Sequence, residues 1–194
     1  TSYKGISFYW TNNSAGTLNY IVADGSSSNK SVVCGDFPDG EWHHVALTYD
    51  GTNITSYKDG VQNAQTSLSG HTPSTADPSY TLHAGRNTRG STYYKGDVDD
   101  IGIYKRALSA TEITALVNEQ GYGQGIGSTS NGTNSGATYQ TSVKKFGSGS
   151  FRFVASDPDW VDLGNNFTSF QTGDISRSFW FRVDSTSGTS SNKP

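Results

Sequence analysis

Several features are scarce or missing in this chain of 194 residues. It has one cysteine and no methionine, so no internal disulfide can form. No apolar run approaches the roughly 20 residues that a membrane helix needs, and we therefore expect no membrane insertion. Lysine and arginine together number 14 and the net charge is -3 at pH 7. Because this leaves no basic stripe, nucleic acid is not expected as a partner.

The chain is rich in the residues that make short strands and tight turns. It contains 23 glycines, and 12% of its residues are aromatic. From Trp42 to Tyr49 large apolar residues alternate with smaller or polar ones, and Asp50-Gly51 follows as a turn. Apolar and polar residues alternate in residues 54–58 as well, and Asp59-Gly60 follows them. This stretch predicts a β-hairpin followed by a second tight turn.

A second motif runs from Tyr93 to Ile113 and contains Gly96-Asp97-Val98-Asp99-Asp100-Ile101. Its end predicts a helix over Ala110–Asn118, because Ser109 and Glu112 have the spacing of a capping box. Together with Trp42-His43-His44-Val45-Ala46, this motif resembles the laminin-G-like, concanavalin A-like jelly-roll domains. The resemblance implies an all-β fold, a two-sheet antiparallel jelly-roll sandwich with one short helix.

The strand pattern restarts after a segment of Gly, Ser, Asn and Thr. Residues 136–139, 145–153, 157–164 and 175–183 resemble the opening strands of the same family, although they follow its closing motifs. The chain is therefore either circularly permuted or spans parts of two tandem repeats. We expect a single domain over 1–194, formed from 1–119 (the family's C-terminal part) and 136–194 (its N-terminal part), joined by a linker over 120–135. A closed monomer is expected, with a domain-swapped dimer as the alternative.

Alternation in both parts predicts which side chains form the core. Cys34, in the apolar run Val32-Val33-Cys34, is expected to be a small buried residue rather than a reactive thiol. His43 and His44 are adjacent on a strand and are expected on opposite faces, one packed and one exposed. The residues expected in the core or at its flanks are Trp42, Val45, Leu47, Phe151, Phe153, Phe179 and Phe181.

No catalytic motif is recognisable, so the chain is not expected to be an enzyme. Glycoside hydrolases of similar fold carry paired carboxylates on one strand. The stretch that comes nearest to such a pair is Asp97-Val98-Asp99-Asp100. The resemblance places it in the closing strand on the convex side, away from any hydrolase cleft. A degenerate glycosidase-like enzyme is kept as a third hypothesis, beside the two binding roles given below.

The resemblance also implies a structural Ca²⁺ as cofactor, since many members of the superfamily hold one. The carried-over ligands are Asp99 with Asp97, and Ser128 and Asn134 from the loop 128–134, which lacks an Asp that members often have there. Calcium prefers six to eight oxygen ligands, which such a loop and carboxylate provide. The alternative is that Asp97, Asp99 and Asp100 form a solvated strand end.

The remaining hypotheses concern binding outside the cell. The resemblance implies a secreted or cell-surface carbohydrate-binding or adhesion module of a larger protein, with a glycan or cell-surface protein as partner. The alternative is a structural spacer or protein-interaction domain of a surface adhesin or phage-like fibre. Aromatic rings stack on sugars and polar groups bind their hydroxyls, although each such residue has a core alternative. The candidate ligand-binding residues are Trp10, Tyr57, Arg86, Asn87, Arg89, Tyr93 and Tyr94.

Overall fold

The structure, a computed structural model, describes residues 4–10, 17–24, 29–38, 40–71, 83–85, 94–118, 133–146, 149–154, 159–162 and 175–184. These residues form thirteen strands and one helix. The strands of the first part are β1 (Lys4–Trp10), β2 (Thr17–Asp24), β3 (Lys30–Asp36), β4 (Trp42–Tyr49), β5 (Asn53–Lys58), β6 (Val61–Ser67), β7 (His83–Ala84) and β8 (Gly96–Tyr104). Helix α1 (Ala110–Asn118) is followed by β9 (Thr133–Ser135), β10 (Thr138–Gln140), β11 (Ser150–Phe153), β12 (Trp160–Asp162) and β13 (Ile175–Val183).

The strands are arranged in one large sheet and two small ones. The large sheet has the order β10-β11-β8-β13-β4-β5-β6, and the small sheets have the orders β1-β2-β3 and β7-β12-β9. All pairings between these strands are antiparallel. Together with the single helix of the described residues, this confirms the predicted all-β fold class.

One apolar core joins the inner face of the large sheet to both small sheets. Leu47, Phe153 and Phe181 of the large sheet share this core with Tyr20 of β2 and Val161 of β12. Burying a Leu or Phe side chain contributes about 1.5–3 kcal/mol to the stability of the fold. The apolar faces of the strands therefore determine which faces of the sheets pack together. Val45, Leu47, Phe153 and Phe181 are buried as predicted, Phe151 and Phe179 pack against the core, and Cys34 is buried within it.

The seventh predicted core residue, Trp42, lies on the other face. It is opposite Arg182 in the β4–β13 ladder and is half-buried. Trp42 and Val45 are three residues apart, and side chains on a strand share a face only at even separations. The prediction placed both in the core or at its flanks on one apolar face, and that shared face was wrong for Trp42.

The two histidines of β4 do lie on opposite faces, but both are buried. His43 packs against Phe37 and Phe181 on the core side, whereas His44 packs against Trp180 on the outer face. Their exposed fractions are 9% and 2%. The expectation of one exposed histidine was therefore wrong, because the outer face of the large sheet is itself covered.

Helix α1 provides part of that cover. Its Ile113 packs with Leu108 against Ala46 and Tyr57 on the outer face of the large sheet. The capping box forms as predicted: the Ser109 hydroxyl accepts a hydrogen bond from the backbone N–H of Glu112, whose carboxylate accepts one from the backbone N–H of Ser109.

The central strand of the large sheet comes from the end of the chain. β13 lies between β8 and β4. In its ladder with β8, the β8 strand has a bulge at which Asp100 adopts a φ of 50°. Strands from both parts of the chain thus alternate within one sheet. The domain boundaries and the permuted family order stay predictions, but the linker prediction was too long. Residues 133–135 form β9, whose backbone pairs with β12 without any apolar side chain to indicate a strand.

Candidate functional site

Two of the predicted ligand-binding aromatics are packed inside the protein. Tyr57 is 6% exposed beneath helix α1, and Tyr94 is 9% exposed against Phe153. Burial raises the pKa of the Tyr94 hydroxyl well above its usual value. Neither ring offers a face to a sugar, so the structure corrects these two assignments in favour of the core alternative.

The other predicted ligand-binding positions cannot be placed. Arg86, Asn87, Arg89 and Tyr93 lie outside the described residues. Trp10 ends strand β1, opposite Leu18 of β2, but its side chain is outside the described part of the structure. These assignments stay predictions.

Asp97 is the centre of a charged cluster on the outer face of the large sheet. Its side chain is completely buried, and one carboxylate oxygen accepts hydrogen bonds from Arg182 Nη2 at 2.7 Å and Arg152 Nη1 at 3.1 Å. The other oxygen accepts one from Gln140 Nε2 at 2.9 Å. Asp184 binds Arg152 through both of its oxygens, so two carboxylates balance two guanidiniums. The cluster fastens β8 to β11 and β13.

Asp99, two residues further along β8, binds backbone amides. One carboxylate oxygen accepts the N–H groups of Lys145 and Phe146 at 2.9 and 3.0 Å, and the other accepts that of Asp100. Hydrogen bonds to a charged group are about twice as strong as neutral ones. Asp99 therefore ties the segment before β11 to β8.

The described residues do not fit the predicted calcium site. Asp97 already faces two cationic guanidiniums, and Asp99 is already bound by three N–H donors. Asn134 lies in a different sheet, where its amide donates to the carbonyl oxygen of Ala137, and Ser128 is outside the described residues. Among the described residues no group of three or more His, Cys, Asp and Glu side chains could hold a metal. The calcium cofactor stays a prediction from the resemblance alone.

The segment held by Asp99 also covers Trp180. Phe146 meets the Trp180 ring edge-on at a centroid distance of 5.5 Å, and Lys145 Nζ lies 4.3 Å from the centre of that ring. Beneath this cover His44 lies 5.3 Å from Trp180. Burial lowers the pKa of His44 from 6.5 to about 4, although nearby Asp59 acts in the opposite direction. This part of the outer face is closed by side chains and offers no open ring.

A group with both aromatic and polar character lies on the small sheet β7-β12-β9. Val161 of β12 points into the core, so its neighbours Trp160 and Asp162 point to the opposite face. His83 of β7 is opposite Asp162 in the ladder, with its Nε2 3.9 Å from Asp162 Oδ2. The His83 and Trp160 rings meet edge-on with centroids 6.5 Å apart. Trp160 is half-buried, and the Asp162 side chain is 31% exposed.

Sequence reasoning missed this group, which we call the Trp160 face (His83, Trp160 and Asp162). The run Asp159-Trp160-Val161-Asp162 was recognised only as a strand. The available signal was its alternation, in which the apolar Val161 separates an aromatic from an acidic residue. His83 comes from 79 positions earlier in the chain, and only the sheet order brings it beside Asp162.

Comparison with known proteins supports the fold. The family model described as the concanavalin A-like lectin/glucanases superfamily matches residues 1–114. A comparison with curated proteins and one with solved structures gave no match. Among the described residues, no helix has the length and apolar character needed to cross a membrane.

Proposed function

The chain belongs to the concanavalin A-like lectin/glucanase superfamily, and from this premise we propose that it is a non-catalytic carbohydrate-binding or adhesion module that acts outside the cell. Laminin-G-like domains of this superfamily often mediate such binding and are generally non-catalytic. Fold alone does not assign a ligand, so the proposal needs a site.

The observation that supports glycan binding is the Trp160 face. The half-buried indole of Trp160 meets the His83 ring edge-on, and a partly exposed carboxylate lies two residues further along the strand. Aromatic rings provide an apolar platform for the C–H face of a sugar, and carboxylates accept hydrogen bonds from its hydroxyls. Because strands carry these groups, their spacing is fixed before a ligand arrives.

Asp97 and Asp99 belong to the stretch that comes nearest to a glycosidase carboxylate pair, and their surroundings support a non-catalytic role. A glycosidase needs two carboxyl groups that reach the scissile bond from opposite sides. Asp97 is buried between two guanidiniums, and both Asp99 oxygens accept backbone N–H groups. Protonating or moving either carboxylate would break contacts that hold the strands together.

A glycan array with the wild-type protein and matched variants tests the proposal. We expect binding to a subset of glycans, and a loss of at least 10-fold in Trp160→Ala and a smaller loss in Asp162→Asn. Tyr139→Ala is the control, because Tyr139 is a 51% exposed aromatic on the large sheet. Thermal melts establish that each variant is folded.

Three results would contradict different parts of the proposal. Binding that survives in Trp160→Ala would move the site elsewhere, and an array without any binding would favour the spacer or protein-interaction role. Turnover of labelled oligosaccharides by the wild-type protein would contradict the non-catalytic assignment.

A further inference from the structure

The large sheet is completed by a segment that enters it from the end of the chain. We propose that residues 133–184 act as a strand donor that completes residues 4–118 of a second copy of this chain as well as those of its own, so that two copies can be linked by strand exchange.

The first support is the central position of β13. It forms ladders with β4 on one side and β8 on the other, along most of its nine residues. Without β13, residues 4–118 present a gap between these two strands with unpaired backbone groups on both sides. Such edges readily accept another strand of matching pattern.

The second support is the burial of both faces of β13. Phe181 is 1% exposed on the core side, and Trp180 is 4% exposed on the outer side. Leu47 of β4 and Val98 of β8, both buried in the same core, lie beside it. The inserted strand therefore removes apolar surface from water on its own side chains and on those of its neighbours.

The third support is charge complementarity between the two parts. Asp97 of the first part has no exposed surface, and its guanidinium partners Arg152 and Arg182 both come from the second. A buried carboxylate that loses its partners is strongly destabilising. Asp99 likewise takes its Lys145 and Phe146 donors from the second part. The first part thus requires this particular segment and not any apolar strand.

None of these contacts depends on which chain supplies the donor. The sequence between Asn118 and Thr133 contains five glycines, and a linker of this length and composition spans roughly 20 Å as a coil. A tether of this kind gives the chain's own donor an effective concentration of about 1 mM. The closed monomer is therefore favoured in dilute solution. The strand-exchanged pair becomes as populated as the closed monomer when the local concentration of chains approaches the millimolar range.

Complementation between two defective full-length chains tests the proposal. Leu47→Asp damages the acceptor part and leaves the donor intact, whereas Phe181→Asp damages the donor and leaves the acceptor intact, since both residues are buried. Each variant is unfolded and refolded alone, and the two are then refolded together at high concentration. We expect neither to fold alone and the mixture to regain about half of the wild-type urea transition, in a particle of twice the monomer mass.

The controls and the contrary outcomes are distinct. Refolding Phe181→Asp with itself must not restore the transition, and the conservative variant Phe181→Leu must fold alone. A mixture with no more folded protein than the separate variants would overturn the proposal. A Phe181→Asp chain that folds alone would overturn it as well, because residues 4–118 would then not need the donor.

Discussion

Replacing Asp97 by Asn removes one charge from the centre of the outer-face cluster while keeping the size of the side chain. The carboxylate has no exposed surface and accepts hydrogen bonds from two guanidiniums and one amide. Removing one partner of a buried ion pair costs about 3–5 kcal/mol. Here the side chains of Arg152 and Arg182 are 25% and 28% exposed and Asp184 still binds Arg152, so we expect the lower part of this range.

We therefore expect Asp97→Asn to lower the free energy of unfolding by about 3 kcal/mol, because water compensates part of the lost charge. For a chain of this size that corresponds to a fall in Tm of roughly 6–12 °C. Urea unfolding followed by tryptophan fluorescence measures the change, and the urea m-value is expected to stay constant if both forms unfold in one step.

Asp184→Asn is the matched control. Asp184 is 19% exposed and binds only Arg152 among the ion pairs of the described residues, so its replacement is expected to cost less than that of Asp97. A double-mutant cycle of Asp97→Asn with Arg182→Met isolates the pairwise contribution, for which we expect more than about 1 kcal/mol of coupling. A change below about 0.5 kcal/mol in Asp97→Asn would refute the reasoning, since that is the usual range for surface substitutions.

Three further predictions concern pH, metal and helix capping. Burial lowers the pKa of His44 from 6.5 to about 4, so below pH 6.5 the unfolded chain binds a proton that the folded chain does not. The stability that neutral His44 contributes is complete above pH 6.5 and falls by about 3 kcal/mol toward pH 4. In urea titrations across this range, we expect the free energy of unfolding of the wild type to show this fall and that of His44→Gln to lack it. Asp99→Ala is expected to lower the free energy of unfolding by about 3 kcal/mol, equally with and without EDTA, because it removes the contacts to three backbone amides. A loss that appears only in the presence of Ca²⁺ would instead support the predicted metal site. Ser109→Ala is expected to lower the free energy of unfolding by about 1 kcal/mol in a urea titration, with Ser109→Thr largely retaining it; equal losses in both would argue against the cap.

Local signals in the sequence were sufficient for the elements that they encode. The alternation from Trp42 to Tyr49 and the Asp-Gly pair at 59–60 predicted β4, β5 and the turn to β6, and Ser109 with Glu112 predicted α1. In each case the determining residues are a few positions apart, so their physical effect is felt within one hairpin or one helical turn.

Contacts between distant strands were not predictable in the same way. Alternation shows which side chains share a face but not what covers that face, and helix α1 buries Tyr57 for that reason. Arg152 and Arg182 lie 55 and 85 positions from Asp97, and only the order β11-β8-β13 makes them neighbours. The candidate site followed the same rule, since His83 and Asp162 are opposite each other only through the β7–β12 ladder.

The same ladder connects the two proposals. His83 belongs to the part of the chain before the glycine-rich segment, whereas Trp160 and Asp162 belong to the part after it. The Trp160 face is therefore complete only when the donor segment occupies its acceptor. In a strand-exchanged pair, each face would combine His83 of one chain with Trp160 of the other, so two chains would carry two linked sites. Linked sites raise the overall affinity for a surface with repeated ligands without any new contact. Strand exchange would thus favour adhesion to dense glycans over binding of free sugars.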